Sequence, residues 1–262
     1  MVEIVLDLKK NIDKNAAFYY EKAKKAKRKI DGAKKIVAEA RKDLEKAEKE
    51  KEKIMEQIEK EEKEKKKKKV RKKEWYEKFR WFISSSGFLC IGGKDATTND
   101  IIVKKHCEKG DLVFHTDIAG SPFFVIKAEG KEIDEQTKEE VATATAAYSR
   151  AWKLGISTTE VYCVSPDQLK HEMGLPKGTF MVYGKRQYFS PTLKIAVGMT
   201  EKGVPMGGPV SAVKKHCKAY VTIKIGDMKK SEIAKRIQKK IGGDSEDIMP
   251  CLPTGGYAIV KE

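Results

Sequence analysis

W-Y-E-K-F-R-W-F-I-S-S-S-G-F-L-C-I-G-G-K-D-A-T-T-N-D, residues 75–100, is where the texture of the chain changes. Before it, residues 1–73 hold 27 Lys and Arg against 16 Asp and Glu. Within it, Trp75, Tyr76, Phe79, Trp81, Phe82 and Ile83 crowd together, a density of aromatic surface that predicts the foot of the arm plugging into a core. The apolar run Phe88 to Ile91 predicts a strand, Gly92 and Gly93 end it, and Asn99 to His106 predicts a short helix capped by Thr98 or Asn99. A globular domain therefore starts at this stretch.

Upstream, Tyr19, Ala23, Ala26, Ile30, Ala33, Val37, Ala40, Leu44, Ala47, Ile54 and Ile58 recur at alternating steps of four and three, with only Lys51 breaking the rhythm. This is a heptad seam and predicts a coiled-coil arm over residues 1–74. The seam is rich in Ala, gains little apolar burial per turn and needs a partner helix. Between Gly32 and Gly87 there is neither Gly nor Pro, so no residue marks a turn. A helical hairpin turning near 48–56 is the expectation; the alternative, one unbroken helix, would reach about 75 to 85 Å at 1.5 Å per residue and pair between chains as a dimer. The nearly all-charged run Lys63 to Lys73 reads as a solvated helix face or, functionally, as a stretch in contact with phosphates.

Downstream, Leu112 to His115 and Phe123 to Lys127 predict strands. A helix follows, with Thr137 and Glu140 as capping box, Val141, Ala144, Tyr148, Ala151 and Trp152 on one face, and Gly155 as its end. Further strands are expected at Glu160 to Val164, Phe180 to Tyr183, Gln187 to Phe189 and Lys194 to Val197. The Gly- and Pro-rich segment T-E-K-G-V-P-M-G-G-P, residues 200–209, reads as a loop or linker. Beyond it, a helix at Val210 to Cys217, a strand at Tyr220 to Ile225, a helix at Ser231 to Ile241 with Ile233, Ile237 and Ile241 inward, and a strand at Tyr257 to Val260 make a small unit. The fold class is α+β: a mixed α/β domain over 75–197, preceded by the long helical arm and followed by a small basic α/β unit over 198–262.

The formal charge of +16 is unevenly spread. The arm carries +11, residues 74–197 balance at 16 of each sign, and residues 198–262 carry +5. General attraction to polyanions thus belongs to the two ends, and the middle must recognise a ligand locally. Five cysteines without a C-x-x-C pair argue against a disulfide framework and a zinc knuckle, and fit a reducing cytoplasm. No apolar stretch approaches the roughly 20 residues that span a bilayer, so no membrane role is expected.

Two loops carry the candidate chemistry. In G-G-K-D-A-T-T-N-D, Lys94 stands beside the start of a helix, where Lys94, Asp95 and Asn99 make a candidate phosphate or ribose site, the ordinary alternative being a well-capped turn. Lys104 and Lys105 extend the same helix as candidate backbone contacts. His115, Asp117, Gly120 and Ser121 gather at a strand end, yet no nucleophile elbow accompanies them, so acid–base catalysis is disfavoured and no enzyme activity is expected. V-K-K-H-C occurs at 103–107 and at 213–217, but adjacent residues on a helix diverge by about 100°, which disfavours a metal site, and no cofactor is expected. Gly207 and Gly208 before Pro209, with Lys214 and Lys215 following, suggest helix N–H groups open to a phosphate. Lys235, Arg236, Lys239 and Lys240 form a basic stripe beside the Ile face of the later helix. Aromatics are scarce at expected exposed strand positions, which favours structured RNA read by shape and backbone over base stacking on a sheet.

The quoted stretch at 75–100, together with D-L-V-F-H-T-D-I-A-G-S-P at 111–122, resembles the RNA-binding domain of the NFACT family, the ribosome quality control factors related to nuclear export mediator factor and to fibronectin-binding protein A homologues. N-A-A-F-Y-Y-E-K-A-K-K-A-K-R-K-I-D-G-A, residues 15–33, is similar to the start of that family's coiled coil, and residues 198–262 look like the extension of archaeal-type members. The resemblance implies an RNA-binding module without bond chemistry. Its expected partners are tRNA and the rRNA of an obstructed large ribosomal subunit, with protein partners along the coiled coil. It turns His115, Asp117 and Ser121 into expected RNA contacts. The family's large N-terminal domain has no counterpart in this sequence, so tail synthesis is not expected of this part alone.

Overall fold

The computed structural model describes residues 4–9, 11–67 and 73–260. They fall into two compact units, Met1–Lys72 and Lys73–Glu262.

In the first unit, helix α1 (Ile12–Lys67) runs without interruption, so the turn expected at 48–56 is not there. The physical reason is the one that left the turn unmarked: with neither Gly nor Pro after Gly32, nothing breaks the i to i−4 ladder at 48–56. The segment before α1 folds along its first turns. Asp7 N–H donates to Asn15 Oδ1 at 2.9 Å, Asn15 Nδ2 donates back to the Asp7 carbonyl at 3.0 Å, and the Tyr19 hydroxyl donates to the Val5 carbonyl at 2.6 Å. Ile30, Val37 and Leu44 of the heptad seam are exposed. Of the charged run at 63–73, residues 68–72 lie outside the described residues, as do the side chains at 63–67.

The second unit opens with a 3-10 turn, Trp75–Lys78, followed by β1 (Arg80–Ile83), β2 (Leu89–Gly92), α2 (Ala96–Lys105), β3 (Leu112–Thr116) and β4 (Phe124–Ile126). Next come α3 (Glu135–Tyr148), α4 (Arg150–Leu154), β5 (Val161–Val164), β6 (Leu169–Lys170), β7 (Met181–Val182) and β8 (Gln187–Phe189). The chain ends with β9 (Lys194–Thr200), β10 (Pro205–Pro209), α5 (Val210–His216), β11 (Cys217–Met228), α6 (Lys230–Ile241), α7 (Ser245–Ile248) and β12 (Tyr257–Ile259). One sheet has the order β1-β2-β4-β3-β5-β8, a second β10-β9-β11-β12, and β6 pairs with β7. Neighbouring strands are antiparallel, which suits hairpin connections and an α+β arrangement.

Alternation along the central strands builds two cores. Phe114, Phe124, Ile126, Val161 and Cys163 face one way, onto α3 and the second sheet. Val113, Val125, Tyr162 and Val164 face the other, with Ile102 of α2, Phe123 and Phe180. Both faces of the sheet are thus covered, and the period of two assigns each side chain to its layer. Between the layers the ammonium of Lys127 meets the Asp111 carboxylate at 2.5 Å, both buried, while the other Asp111 oxygen accepts the Ala128 N–H at 2.9 Å.

Several expectations are corrected. Helix α3 is capped by Asp134, whose carboxylate accepts the Thr137 N–H, so Thr137 lies inside the helix. Glu140 is buried and accepts the Ser85 N–H at 2.9 Å and the Ser211 hydroxyl at 2.5 Å. The helix also breaks at Ser149, which caps α4, and Gly155 ends α4 in the left-handed region at φ 74°. The segment read as a linker at 200–209 is mostly a strand, because its glycines serve close packing: a Cβ on Gly207 would lie 2.8 Å from the Tyr148 hydroxyl, and one on Gly208 3.0 Å from Phe82. The boundary expected at 197/198 falls inside β9, which pairs on one side with β10 and on the other with β11.

Candidate nucleic-acid interface

The two loops singled out in the sequence meet. Asn99, in the first turns of α2, is buried; its Oδ1 accepts the Phe123 N–H at 3.1 Å and its Nδ2 donates to the Ser121 carbonyl at 3.4 Å. Gly93 makes room for this clasp, since a Cβ there would sit 1.8 Å from Asn99 Oδ1. The loop around Gly178, at φ 75°, closes on the start of α2 so tightly that a Cβ would meet the Ala96 carbonyl oxygen at 2.3 Å. These approaches leave a cavity of about 550 Å³ lined by Lys94, Asp95, Asn99, His115 and Ser121 among others.

The cavity is basic. Arg80, Lys94, Arg150, Lys153 and Lys177 stand on its wall against a single carboxylate, Asp95. The Arg80 guanidinium lies 4.3 Å from the Tyr148 ring centre, and burial lowers its pKa. Burial, and then repulsion from Arg80, also lower that of Lys94. Asp95 is the N-cap of α2: its carboxylate accepts the Thr98 N–H at 2.8 Å, and that bond holds it below the usual carboxylate range. Thr98 is therefore the N3 partner of the cap, and the helix end already has its own carboxylate. An anion in the cavity would be drawn by the side-chain cations more than by the helix terminus.

His115 is not poised for catalysis. Its ring stacks on Phe123 with centroids 4.1 Å apart, its Nδ1 lies 3.2 Å from the Tyr162 hydroxyl, and burial pushes its pKa down to about 4. The Asp117 carboxylate turns to Arg186, 3.5 Å away. Ser121 Oγ is buried and has no hydrogen-bond partner, so it forms no nucleophile–base pair with His115.

Arg80, Arg150, Lys153 and Lys177 escaped the sequence reading as site residues, and Tyr148 was read only as a core residue, because β1, the α3–α4 region and the loop around Gly178 are brought together only by the fold. Only Arg80, a cation inside the aromatic run, carried a local signal. The remaining candidates lie elsewhere. Lys104 pairs with Asp100 at 2.8 Å and Lys105 is exposed beside it. Gly207 and Gly208 are buried in β10, which corrects the expected phosphate loop; Lys214 and Lys215 are exposed on the last turn of the short α5. Lys235, Arg236, Lys239 and Lys240 do form an exposed stripe on α6 opposite the buried Ile233, Ile237 and Ile241, with Arg236 held 2.8 Å from Glu232. In the two V-K-K-H-C segments, His106 stacks on Trp75 at 4.6 Å and His216 Nε2 lies 2.8 Å from the Ser84 carbonyl oxygen. Among the described residues no three His, Cys, Asp or Glu side chains gather as a metal would require, and no helix is long and apolar enough to cross a membrane.

The family model of the NFACT protein RNA binding domain matches residues 78–184, a range that contains every cavity-lining residue except Thr254. The archaeal Rqc2 homologue of Methanocaldococcus jannaschii is 42% identical over 203 residues, covering 73% of this chain and 30% of that protein. The ribosome quality control complex subunit NEMF of Homo sapiens is 34% identical over 183 residues, covering 68% and 16%. The chain thus spans less than a third of the length of these relatives. Among solved structures, the C-terminal part of a fibronectin/fibrinogen-binding protein from Streptococcus suis aligns over 48% of each chain at 21% identity with a TM-score of 0.40, too low to bear on the fold. The domain match and the identity to these relatives establish that this chain belongs to the NFACT family.

Proposed function

We propose that this chain is the RNA-holding part of a cytoplasmic ribosome quality control factor, gripping tRNA and the rRNA of an obstructed large subunit without making or breaking bonds. In this reading the part supports tailing of the stalled nascent chain by its hold on tRNA. The names of the relatives support the setting. The observation that carries the RNA reading is the cavity itself: a segment balanced in charge overall gathers five cations against one carboxylate there. Cations so placed favour phosphates, and a contact made to phosphates positions a structured RNA by its backbone. The basic stripe of α6 and Lys104, Lys105, Lys214 and Lys215 add a less selective attraction.

A second reading has the exposed seam of α1, with Ile30, Val37 and Leu44, docking a helical protein partner while RNA affinity stays non-specific. Filter binding of tRNA and of a random duplex of equal length, across a salt series, separates the two. The RNA reading expects tRNA to stay at least tenfold tighter as salt rises; equal affinities with equal salt slopes would leave only bare electrostatics.

A further inference from the structure

The cavity has a shape and a wall chemistry that phosphate contact alone does not use. Four of its five cations, Lys94, Arg150, Lys153 and Lys177, are exposed; the fifth, Arg80, is partly buried. Its depth is different in kind, formed by Phe123, Phe180, Pro122, Asn99 and Ser121, all buried. The rings of Phe123 and Phe180 meet edge to face at 5.5 Å, and His115 stacks on Phe123, so the recess has an aromatic wall already ordered on its inner side. Ser121 also lines the cavity; it is 3% exposed, and its buried Oγ has no hydrogen-bond partner among the described residues. A buried hydroxyl left unpaired is costly, and native structures keep one chiefly where something else supplies the bond.

A ligand that satisfies every part has an anionic portion for the rim, a flat apolar face for the aromatic wall and a polar edge for the hydroxyl. We infer that the cavity receives one unstacked nucleotide of a single-stranded RNA segment, its phosphates on Lys94, Arg150 and Lys177, its base against Phe123 and Phe180, and an edge atom bonded to Ser121 Oγ. The volume of about 550 Å³ falls within the range of sites that enclose a small ligand. Splaying out a base onto aromatic side chains is a general mode of reading unpaired RNA. This rests on the RNA reading above and adds to it a demand for an unpaired nucleotide.

The test uses the whole chain and two RNA hairpins alike in stem and total charge, one blunt and one with a single-stranded overhang carrying 2-aminopurine. The overhang hairpin is expected to bind about tenfold tighter, with the difference persisting at high salt and the fluorophore's emission changing on binding. Ser121→Val, which removes the hydroxyl, and Thr179→Trp, which plugs the recess from an exposed position and spares the core, should each erase the difference, the overhang hairpin falling to the affinity of the blunt one. Equal affinity for the two hairpins in the unmodified chain would overturn the inference while leaving the RNA reading intact. Failure to bind either hairpin would overturn both. Adenosine monophosphate binding more tightly than the overhang hairpin would assign the recess to free nucleotides and overturn the inference as stated.

Discussion

Asn99 bridges the two loops that build the cavity, its side-chain amide accepting the N–H of Phe123 and donating to the carbonyl of Ser121. The bridge is buried and uses both ends of the amide, so its removal leaves a backbone donor and a backbone acceptor unpaired. Asn99→Ala should therefore cost about 2 to 3 kcal/mol in chemical denaturation and weaken RNA binding through loss of cavity shape. Asn99→Asp keeps the acceptor and loses the donor. It buries a carboxylate against the Ser121 carbonyl oxygen, so it should be no more stable than Asn99→Ala and should bind RNA still less well.

How much of this was legible beforehand depended on whether the signal was local. The strands at 89–92, 112–116 and 187–189 and the helix with Ile233, Ile237 and Ile241 inward followed from periodicity within a few residues. The glycines at 207 and 208 misled because their role is contact with Tyr148 and Phe82, far away in sequence, while their local pattern is that of a loop. Likewise Lys94, Asn99, His115 and Ser121 stood in two recognisable loops, but nothing along the chain could place Arg150 or Lys177 beside them. Asn99 and Asp95 were expected as ligand contacts. The structure gives Asn99 a bridging role and Asp95 a capping role.

The buried pair of Asp111 and Lys127 makes a second prediction. Removing Asp111 leaves the buried Lys127 ammonium with only the exposed Glu108, 3.4 Å away, and the His106 carbonyl, and frees the Glu108 and Ala128 N–H groups, so Asp111→Ala should destabilise the unit by about 3 kcal/mol. The double change to apolar residues of similar volume should recover much of that loss, as a double-mutant cycle in urea would measure. A single variant no less stable than the parent would contradict the pairing.

His115 ties stability to pH. Its pKa is about 4 in the folded chain, where burial keeps it neutral, against an ordinary 6.5. Between these values the unfolded chain binds a proton that the folded chain refuses. The contribution is thus favourable above pH 6.5 and is lost as pH falls toward 4, up to roughly 3 kcal/mol. His115→Gln should flatten the stability profile across that window relative to the parent. Parallel profiles for the two proteins would show that His115 titrates normally.

The central claim is that the cavity rim, more than the general basicity of the chain, selects RNA. It is tested most directly by measuring tRNA affinity across salt for Lys94→Ala/Arg150→Ala/Lys177→Ala and, separately, for Lys235→Ala/Arg236→Ala/Lys239→Ala/Lys240→Ala. The rim variant should lose at least tenfold in tRNA affinity and its preference over random duplex. The α6 variant should weaken tRNA and duplex alike, with a shallower salt slope and the preference intact. A rim variant that still prefers tRNA as the parent does would contradict it.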